Sequence, residues 1–450
     1  MSVTVYKNAR IFTGSQIVEN GIILVSHNHK EFSAPAAGET PVKVVPALSD
    51  KIEYVGSAEG CEIPEGAEII DLTGCTVLPG LIDCAARLDT LNPASDDYVN
   101  NIRTPFRTFL AYRSAAEALN VGVTTIRTVG MPNNIDLGLR DAINKTMFFG
   151  PSILAAGPTY AVTAGNGHEK YGLVMASGCD ALRREMRIHI ARGLNGITLQ
   201  VSGKPMDSLN GEYRKEMSDA EVHALVKHAK GAEKKVLAVA NGDPSVSICL
   251  GAGIAGILEG RRIGKANLRS MAEKGVHYIP CLVASLGTEY EAEHKSVVAE
   301  AIKCGVKIGV GTEILPSEPI DGTVAFIKEM ELLVECGMTP AQAIQSATST
   351  AAEISGAKTG ILAAGKAPDF IVAAGNPMDD ISAMRNIVMV VKSGRRAFAE
   401  VNGIKERAFH IMPPGYNVCG GTTFDWAADA TKGVIDPANY NDMWNLRKEI

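Results

Sequence analysis

The feature that most constrains the fold of this chain is a regular alternation of strand-like and helix-like segments that begins at Thr76. Amphipathic helices lie between several short apolar segments with strand character. The eight candidate strands are 76–83, 123–129, 152–156, 196–201, 236–240, 254–258, 276–282 and 306–311. Eight strands alternating with helices over about 250 residues have the size and order of a (β/α)8 barrel. The sequence therefore predicts an α/β fold built on a TIM-type barrel.

Two helices of this region carry start signals that can be read directly. In "SDAEVHALVKHAKGAEKK", Ser218 and Glu221 have the spacing of a capping box. In "TPAQAIQSATSTAAEIS", Thr339 is the expected N-cap, Pro340 the first helical residue and Gln342 the closing residue of the box. We expect helices to begin at both places.

The two ends of the chain are richer in strands. Residues 1–75 contain short strand-like segments separated by turn signals, and strands return in 359–400 at "DFIVAAG" and "IVMVVKSGRRAF". We expect these two segments to form one small β-sandwich, with the barrel at 76–358 between them. Residues 401–450, which hold both tryptophans, are expected to be an extension packed on that body.

Charge and cysteine usage exclude several classes of partner. The net charge is −6, the pI is about 5.9, and there is no basic stripe, so nucleic acid and anionic membranes are not expected partners. The sequence contains neither a secretory signal pattern nor an apolar run of about 20 residues. The nine cysteines are scattered, with no Cys-x-x-Cys pair, which predicts neither a disulfide framework nor a zinc ribbon. A reducing, cytoplasmic location is the expectation.

Five segments carry a family resemblance in a fixed order. They are "VLPGLID", "GVTTIRTVG", "MAEKGVHYIPCLVA", "GVKIGVGTE" and the long C-terminal stretch that starts at "ELLVECGMTPAQAIQS" and continues through "GKAPDFIVAAGNPMDD". Together they resemble the amidohydrolase superfamily, in particular its imidazolonepropionase, aminoacylase and prolidase-like branch. The resemblance extends to about Phe398 and implies hydrolytic chemistry at the C-terminal ends of the barrel strands. A homo-oligomer is common in that family, and the oligomeric state stays open.

The resemblance also implies a metal site, but the residues at its positions have changed. The family uses His-x-His after strand one, a lysine or glutamate on strand four, histidines on strands five and six, and an aspartate on strand eight. These residues hold one or two divalent ions that activate water. At those positions this chain has Ala85 and Arg87, Thr198, Val239 and Asn241, Glu259, and Glu313. In the family's "TGGHG" loop after strand three, Asn166 replaces the histidine.

The new residues are poor metal ligands and better suited to acid–base chemistry. Alanine and valine have no donor atom, and arginine carries a fixed positive charge. We therefore predict no metal and no cofactor. Glu313 and Glu259 are candidates for general acid or base, and Arg87, Asn241 and Thr198 for oxyanion stabilisation. The alternative is that Arg87 only forms structural ion pairs with the two glutamates.

Further candidates lie on loops at the same end of the barrel. His168, Asn166 and Lys170 follow strand three, and Lys204 follows strand four, where they are predicted to bind substrate. The alternative for His168, Lys170 and Lys204 is a solvated loop residue.

These residues together predict a metal-independent enzyme that acts on a small organic molecule in the barrel mouth. The expected reaction is acid–base driven: hydrolysis of a C–N or related bond, elimination, isomerisation or cyclisation. Two alternatives stay open. One is an inactive relative that binds a ligand or a partner, and the other is a conventional metal-dependent amidohydrolase.

Overall fold

The computed structural model describes residues 2–27, 50–89, 103–165, 172–203, 213–401 and 404–407. Within these ranges the strands, in chain order, are β1 (Ser2–Phe12), β2 (Ile17–His27), β3 (Lys51–Ser57), β4 (Glu68–Asp71), β5 (Cys75–Pro79), β6 (Leu81–Ala86), β7 (Val123–Thr128), β8 (Ser152–Leu154), β9 (Thr159–Ala161), β10 (Leu173–Met175), β11 (Gly196–Gln200), β12 (Lys235–Val239), β13 (Gly256–Leu258), β14 (His277–Ile279), β15 (Pro319–Ile320), β16 (Thr323–Val324), β17 (Phe370–Ala374), β18 (Ile387–Lys392), β19 (Arg395–Val401) and β20 (Ile404–Arg407).

The helices alternate with the central strands. They are α1 (Thr104–Asn120), α2 (Ile135–Asn144), α3 (Cys179–Ala191), α4 (Asp219–Gly231), α5 (Asp243–Ala252), α6 (Lys265–Lys274), α7 (Glu291–Lys303), α8 (Ala325–Glu335), α9 (Pro340–Ser346) and α10 (Ser349–Ser355). The capping boxes at Ser218 and Thr339 are both formed, so these two predictions are confirmed. No helix in the described ranges has the length and apolar composition needed to cross a membrane.

The central strands pair in parallel, as the alternation predicted. One sheet runs β6-β7-β8 and another β10-β9-β11-β12-β13-β14. The third predicted strand corresponds to β8, which pairs with β7, whereas β9 follows Gly157 (φ 65°), was not predicted and pairs with β11. The eighth predicted strand is reduced to a bridge between Ile308 and Tyr278 and a hydrogen bond from the Cys84 amide to the Val310 carbonyl.

Two apolar layers hold these strands in place. The outer layer lies between strands and helices and includes Ile126 and Leu225. The inner layer includes Cys84, Val129, Leu237 and Cys281, together with Leu258 and Ile279, and Ile354 of α10 packs against these strand residues. Side chains at every second position of a strand point to the same face, so membership of the inner layer identifies which residues face the barrel interior.

The N-terminal and C-terminal segments meet in one nine-stranded sheet. Its order is β20-β19-β18-β17-β5-β1-β2-β3, with β4 also paired to β1. The junction between the two segments is the antiparallel pair β5 and β17, in which Phe370 lies opposite Pro79. The two ends of the chain therefore combine as predicted, and a two-layered sandwich stays a prediction. Except for 401 and 404–407, the predicted extension lies outside the described residues.

A buried ion pair connects this sheet to the barrel strands. Lys392, at the end of β18, donates to the carboxylate of Asp369 at 2.6 Å and to the hydroxyl of Ser152 on β8 at 2.8 Å. The side chains of Lys392 and Asp369 are only 6% and 3% exposed. Because water is excluded on both sides, each charge depends on the other for compensation.

Replacing Lys392 with methionine is expected to lower the free energy of unfolding by about 3–5 kcal/mol, because Asp369 then stays buried without its cation. Chemical denaturation followed by circular dichroism measures the change. Lys392→Met combined with Asp369→Leu should recover most of the loss. The matched control is Lys307→Met, which breaks an exposed pair with Glu353 and should cost about 0–1 kcal/mol. Equal losses in Lys392→Met and Lys307→Met would contradict this role.

Candidate functional site

Three polar residues of the barrel lie just after β12, just after β13 and just after Val310 in the eighth predicted strand. Asn241 follows β12, Glu259 follows β13, and Glu313 follows Val310 by three residues. Carboxyl ends of parallel strands lie at one edge of the sheet, the edge that carries active sites in barrels of this type. The structure therefore places three of the predicted catalytic residues at the same end of the strands.

Glu259 is fully buried and is held by two donors. Its Oε2 accepts hydrogen bonds from Arg261 at 2.7 Å and from the Asn241 side-chain amide at 3.0 Å. The φ of Glu259 is 61°, in the left-handed region, so the chain turns at this residue. Arg261 follows the turn, and its guanidinium forms an ion pair with the Glu259 carboxylate. The backbone amide of Arg261 also donates to Asn241 Oδ1 at 2.8 Å. These three residues form a closed buried network.

Arg261 is the strongest charge in this network. Burial, the largest single effect, acts to lower its pKa, but the charges of Glu259, Tyr290, Glu313 and Tyr213 together raise the pKa above its ordinary value. Glu313 adds to the same effect, so its carboxylate acts on Arg261 electrostatically. The guanidinium also lies 4.6 Å from the centroid of the Tyr290 ring, in cation–π geometry.

A second layer of hydrogen bonds supports Arg261. Its Nε donates to the Ser285 hydroxyl at 3.3 Å, and Ser285 lies 2.8 Å from His294 Nδ1. His294 Nε2 lies 2.8 Å from the Glu259 carbonyl, so this nitrogen carries the proton and Nδ1 accepts. Burial and the charge of Arg261 lower the pKa of His294 to about 3. His294 is therefore neutral and acts as a hydrogen-bonding support.

Glu313 lies just after the eighth predicted barrel strand, residues 306–311, and its backbone conformation is restricted. Its φ is 54°, its amide donates to the Ala85 carbonyl at 2.6 Å, and its side chain is 8% exposed. The preceding residue, Thr312, donates from its hydroxyl to Asp83 at 2.8 Å. Burial raises the pKa of Asp83 to about 7 against the lowering effect of these hydrogen bonds. Asp83 on β6 thus connects this strand by hydrogen bonds to the segment that contains Glu313.

The structural alternative for Arg87, an ion pair with Glu259, is not formed within the described residues, where Arg261 forms that pair instead. The guanidinium of Arg87 lies against the backbone of Gly130. Burial raises the pKa of Asp89, and the charges of Arg107 and Arg87 act to lower it. The signal that was missed is the spacing of Glu259 and Arg261. Two residues apart, their side chains meet only because the intervening turn begins in the left-handed region.

Thr198 is engaged away from this network. It lies in the middle of β11, and its hydroxyl accepts a hydrogen bond from Arg127 on β7 at 3.1 Å. The remaining predicted residues, Asn166, His168, Lys170 and Lys204, lie outside the described residues.

The donor set at this end of the barrel does not fit the metal centre that the family resemblance implies. Ala85 and Val239 offer no ligand atom, and the Glu259 oxygen that faces Asn241 already accepts from a guanidinium. Across the described ranges, no three His, Cys, Asp or Glu side chains are grouped so that they could hold a metal ion. A cation beside Arg261 would also be repelled by its fixed charge.

Comparison with known proteins gives the family. Residues 76–397 match the sequence profile of the amidohydrolase family. An ochratoxinase from Aspergillus niger is 27% identical over 419 residues, covering 80% of this chain and 84% of that protein. The chain therefore belongs to the amidohydrolase family, its fold is of the TIM-barrel type, and its relatives are hydrolases.

Solved structures agree with the fold. A Xaa-Pro dipeptidase with bound methionine in its active site has a TM-score of 0.74 at 25% identity, covering 88% of this chain and 99% of that one. The A. niger ochratoxinase has a TM-score of 0.72 at 22% identity, covering 88% and 95%.

Arg261→Met is expected to lower the free energy of unfolding by about 3–5 kcal/mol, because the Glu259 carboxylate stays buried without its guanidinium. Urea denaturation measures the loss, and adding Glu259→Gln should restore part of it. Arg262→Met is a matched control one residue along the chain. Its partner, Glu293, is exposed, so the control should lose only about 0–1 kcal/mol. A similar small loss in Arg261→Met would mean that the buried network does not support the fold.

Proposed function

We propose that this protein is a metal-independent hydrolase of the amidohydrolase family that cleaves a C–N or related bond of a small molecule in the barrel mouth. The observation that carries the proposal is the buried ion pair of Arg261 with Glu259, 2.7 Å apart. The guanidinium of Arg261 lies beside Glu259, which stands at one of the family's metal-ligand positions. We therefore propose that Arg261 supplies the positive charge that a metal ion supplies in other members of the family.

The two glutamates have different environments, which separates their proposed roles. Glu259 is fully buried and accepts hydrogen bonds from Arg261 and Asn241, which hold its carboxylate in a fixed position. Glu313 is 8% exposed, and its negative charge raises the pKa of Arg261. We therefore assign proton transfer to Glu313 and charge compensation of Arg261 to Glu259.

The reaction needs only water as co-substrate. Glu313 removes a proton from water, and the oxygen attacks the carbonyl carbon of the substrate. The tetrahedral intermediate carries its negative charge on the former carbonyl oxygen, which Arg87 stabilises by hydrogen bonding. Collapse of the intermediate breaks the C–N bond, and the proton returns from Glu313 to the departing nitrogen.

Substrate recognition is assigned to the loops that follow the third and fourth strands. Asn166, His168, Lys170 and Lys204 are proposed to contact the substrate. The relatives support a C–N bond as the target, because a Xaa-Pro dipeptidase by its name cleaves a dipeptide. An inactive binding protein and a conventional metal hydrolase are the two competing functions.

Glu313→Gln is expected to reduce turnover by about 10²–10⁴-fold, because the amide cannot accept the proton from water. Assays of a panel of dipeptides and N-acyl amino acids, with ligand affinity measured by calorimetry, separate turnover from binding. Glu273→Gln, an exposed residue on α6, is the matched control and should keep wild-type activity.

Other outcomes reassign or reject the role. Full activity in Glu313→Gln together with loss of activity in Glu259→Gln would assign the proton-transfer role to Glu259. Normal turnover in both variants would reject the assignment and make His168 the next candidate. Binding without turnover by the wild-type protein would support the inactive alternative.

Protein purified without chelator is expected to contain far less than one divalent ion per chain, because few oxygen ligands and no complete ligand set are available. Inductively coupled plasma mass spectrometry measures the content. Chelator treatment should leave turnover unchanged. Stoichiometric zinc whose removal abolishes activity would overturn the metal-independent mechanism.

A further inference from the structure

Arg127 is a buried cation inside the barrel. It lies on β7 two residues before Val129, a member of the inner apolar layer, so both side chains face the interior. Only 3% of Arg127 is exposed. One terminal nitrogen, Nη2, donates to the Ile197 carbonyl at 2.9 Å and to Thr198 Oγ1 at 3.1 Å. Gly196 permits this position, since a Cβ there would lie only 3.3 Å from Nε.

The positive charge of Arg127 lacks a bound counter-ion in the protein. Within the described ranges, the hydrogen bonds of Arg127 go to the Ile197 carbonyl and Thr198 and not to a carboxylate, and its second terminal nitrogen, Nη1, is buried with no hydrogen-bond partner. Burial lowers the pKa of Arg127 to about 10, so the guanidinium is still charged at neutral pH. A buried charge in this state is costly unless something compensates it.

The two nearest candidates for a counter-ion do not serve. Cys84 is fully buried, and burial raises the pKa of its thiol far above neutrality, so it carries no negative charge. Asp136 acts on Arg127 only at a distance. Its oxygens already accept from the Thr128 hydroxyl and from the amides of Gly157 and Leu137.

A second buried donor faces the same interior. Thr125 lies two residues before Arg127 on β7, and its hydroxyl is buried with no hydrogen-bond partner in the described part of the chain. Thr125 and Arg127 therefore point to one face, roughly 6–7 Å apart along the strand. Thr198 adds a third group, because its oxygen accepts from Arg127 and leaves its proton available. One guanidinium nitrogen and two hydroxyls offer hydrogen-bond donors. No negatively charged group is among these three residues.

We propose that Arg127, Thr125 and Thr198 form an enclosed binding site for a small monovalent anion of chloride size inside the barrel. A water molecule would satisfy hydrogen bonds but leave the charge of Arg127 uncompensated, whereas an anion does both. The site is separate from the Glu259 network and independent of the reaction assigned to Glu313.

Thermal unfolding at constant ionic strength tests the site, with chloride replacing gluconate, an anion too large to enter. The wild-type melting temperature should rise with chloride concentration, because a ligand that binds only the folded state stabilises it. Arg127→Met should lose this dependence. The matched control Arg184→Met, whose side chain is 78% exposed, should retain it.

Two further measurements keep the test decisive if Arg127→Met does not fold. Thr125→Val, nearly isosteric, should weaken the apparent chloride affinity by about 10–100-fold, the effect of one hydrogen bond to a charged group. Crystals grown with bromide should give an anomalous peak beside Arg127 Nη1. No chloride dependence in the wild-type protein, equal dependence in Arg127→Met, or no bromide at this position would overturn the proposal.

Discussion

The candidate site depends on the ion pair between Glu259 and Arg261. Neither charge could remain at the strand ends alone, because both are almost completely removed from water. Asn241 donates to the Glu259 carboxylate, Ser285 accepts from Arg261, and His294 supports Ser285 and the Glu259 carbonyl. The pair and its hydrogen-bond partners therefore connect the ends of β12, β13 and β14. Arg261 also supplies the positive charge with which the Glu313 carboxylate interacts electrostatically.

Local sequence signals predicted the fold well. Strand character, helix periodicity and capping boxes are short-range properties, and they located most barrel strands and the helix starts at Ser218 and Thr339. The short strands β9 and β10 were missed, since each has only three residues and depends on pairing rather than composition. The separate pairing of β8 with β7 and of β9 with β11 likewise depends on which neighbour each strand meets.

The site was less predictable, because its contacts depend on backbone geometry. Arg87 was the expected partner of Glu259 from its place after the first strand. Arg261 takes that role since Glu259 adopts a left-handed conformation that turns the chain back on itself, and a glutamate gives no sequence signal for that turn. Arg127 was also missed. The role of a charged residue within an apolar strand depends on which strands lie beside it, and the sequence does not give those neighbours.

The pairing of β5 with β17 has a consequence for how the chain acquires its structure. Phe370 meets Pro79 across almost the whole length of the barrel sequence, so β5 lacks one neighbour until the last strands have been synthesised. Contacts of such long range are slow to form and leave strand edges exposed in the meantime. During synthesis, β1 and β2 can pair early, whereas the edge of β5 must wait for the C-terminal strands. Until the C-terminal strands pair with it, the unpaired edge of β5 is the part of this sheet most open to contact with other chains.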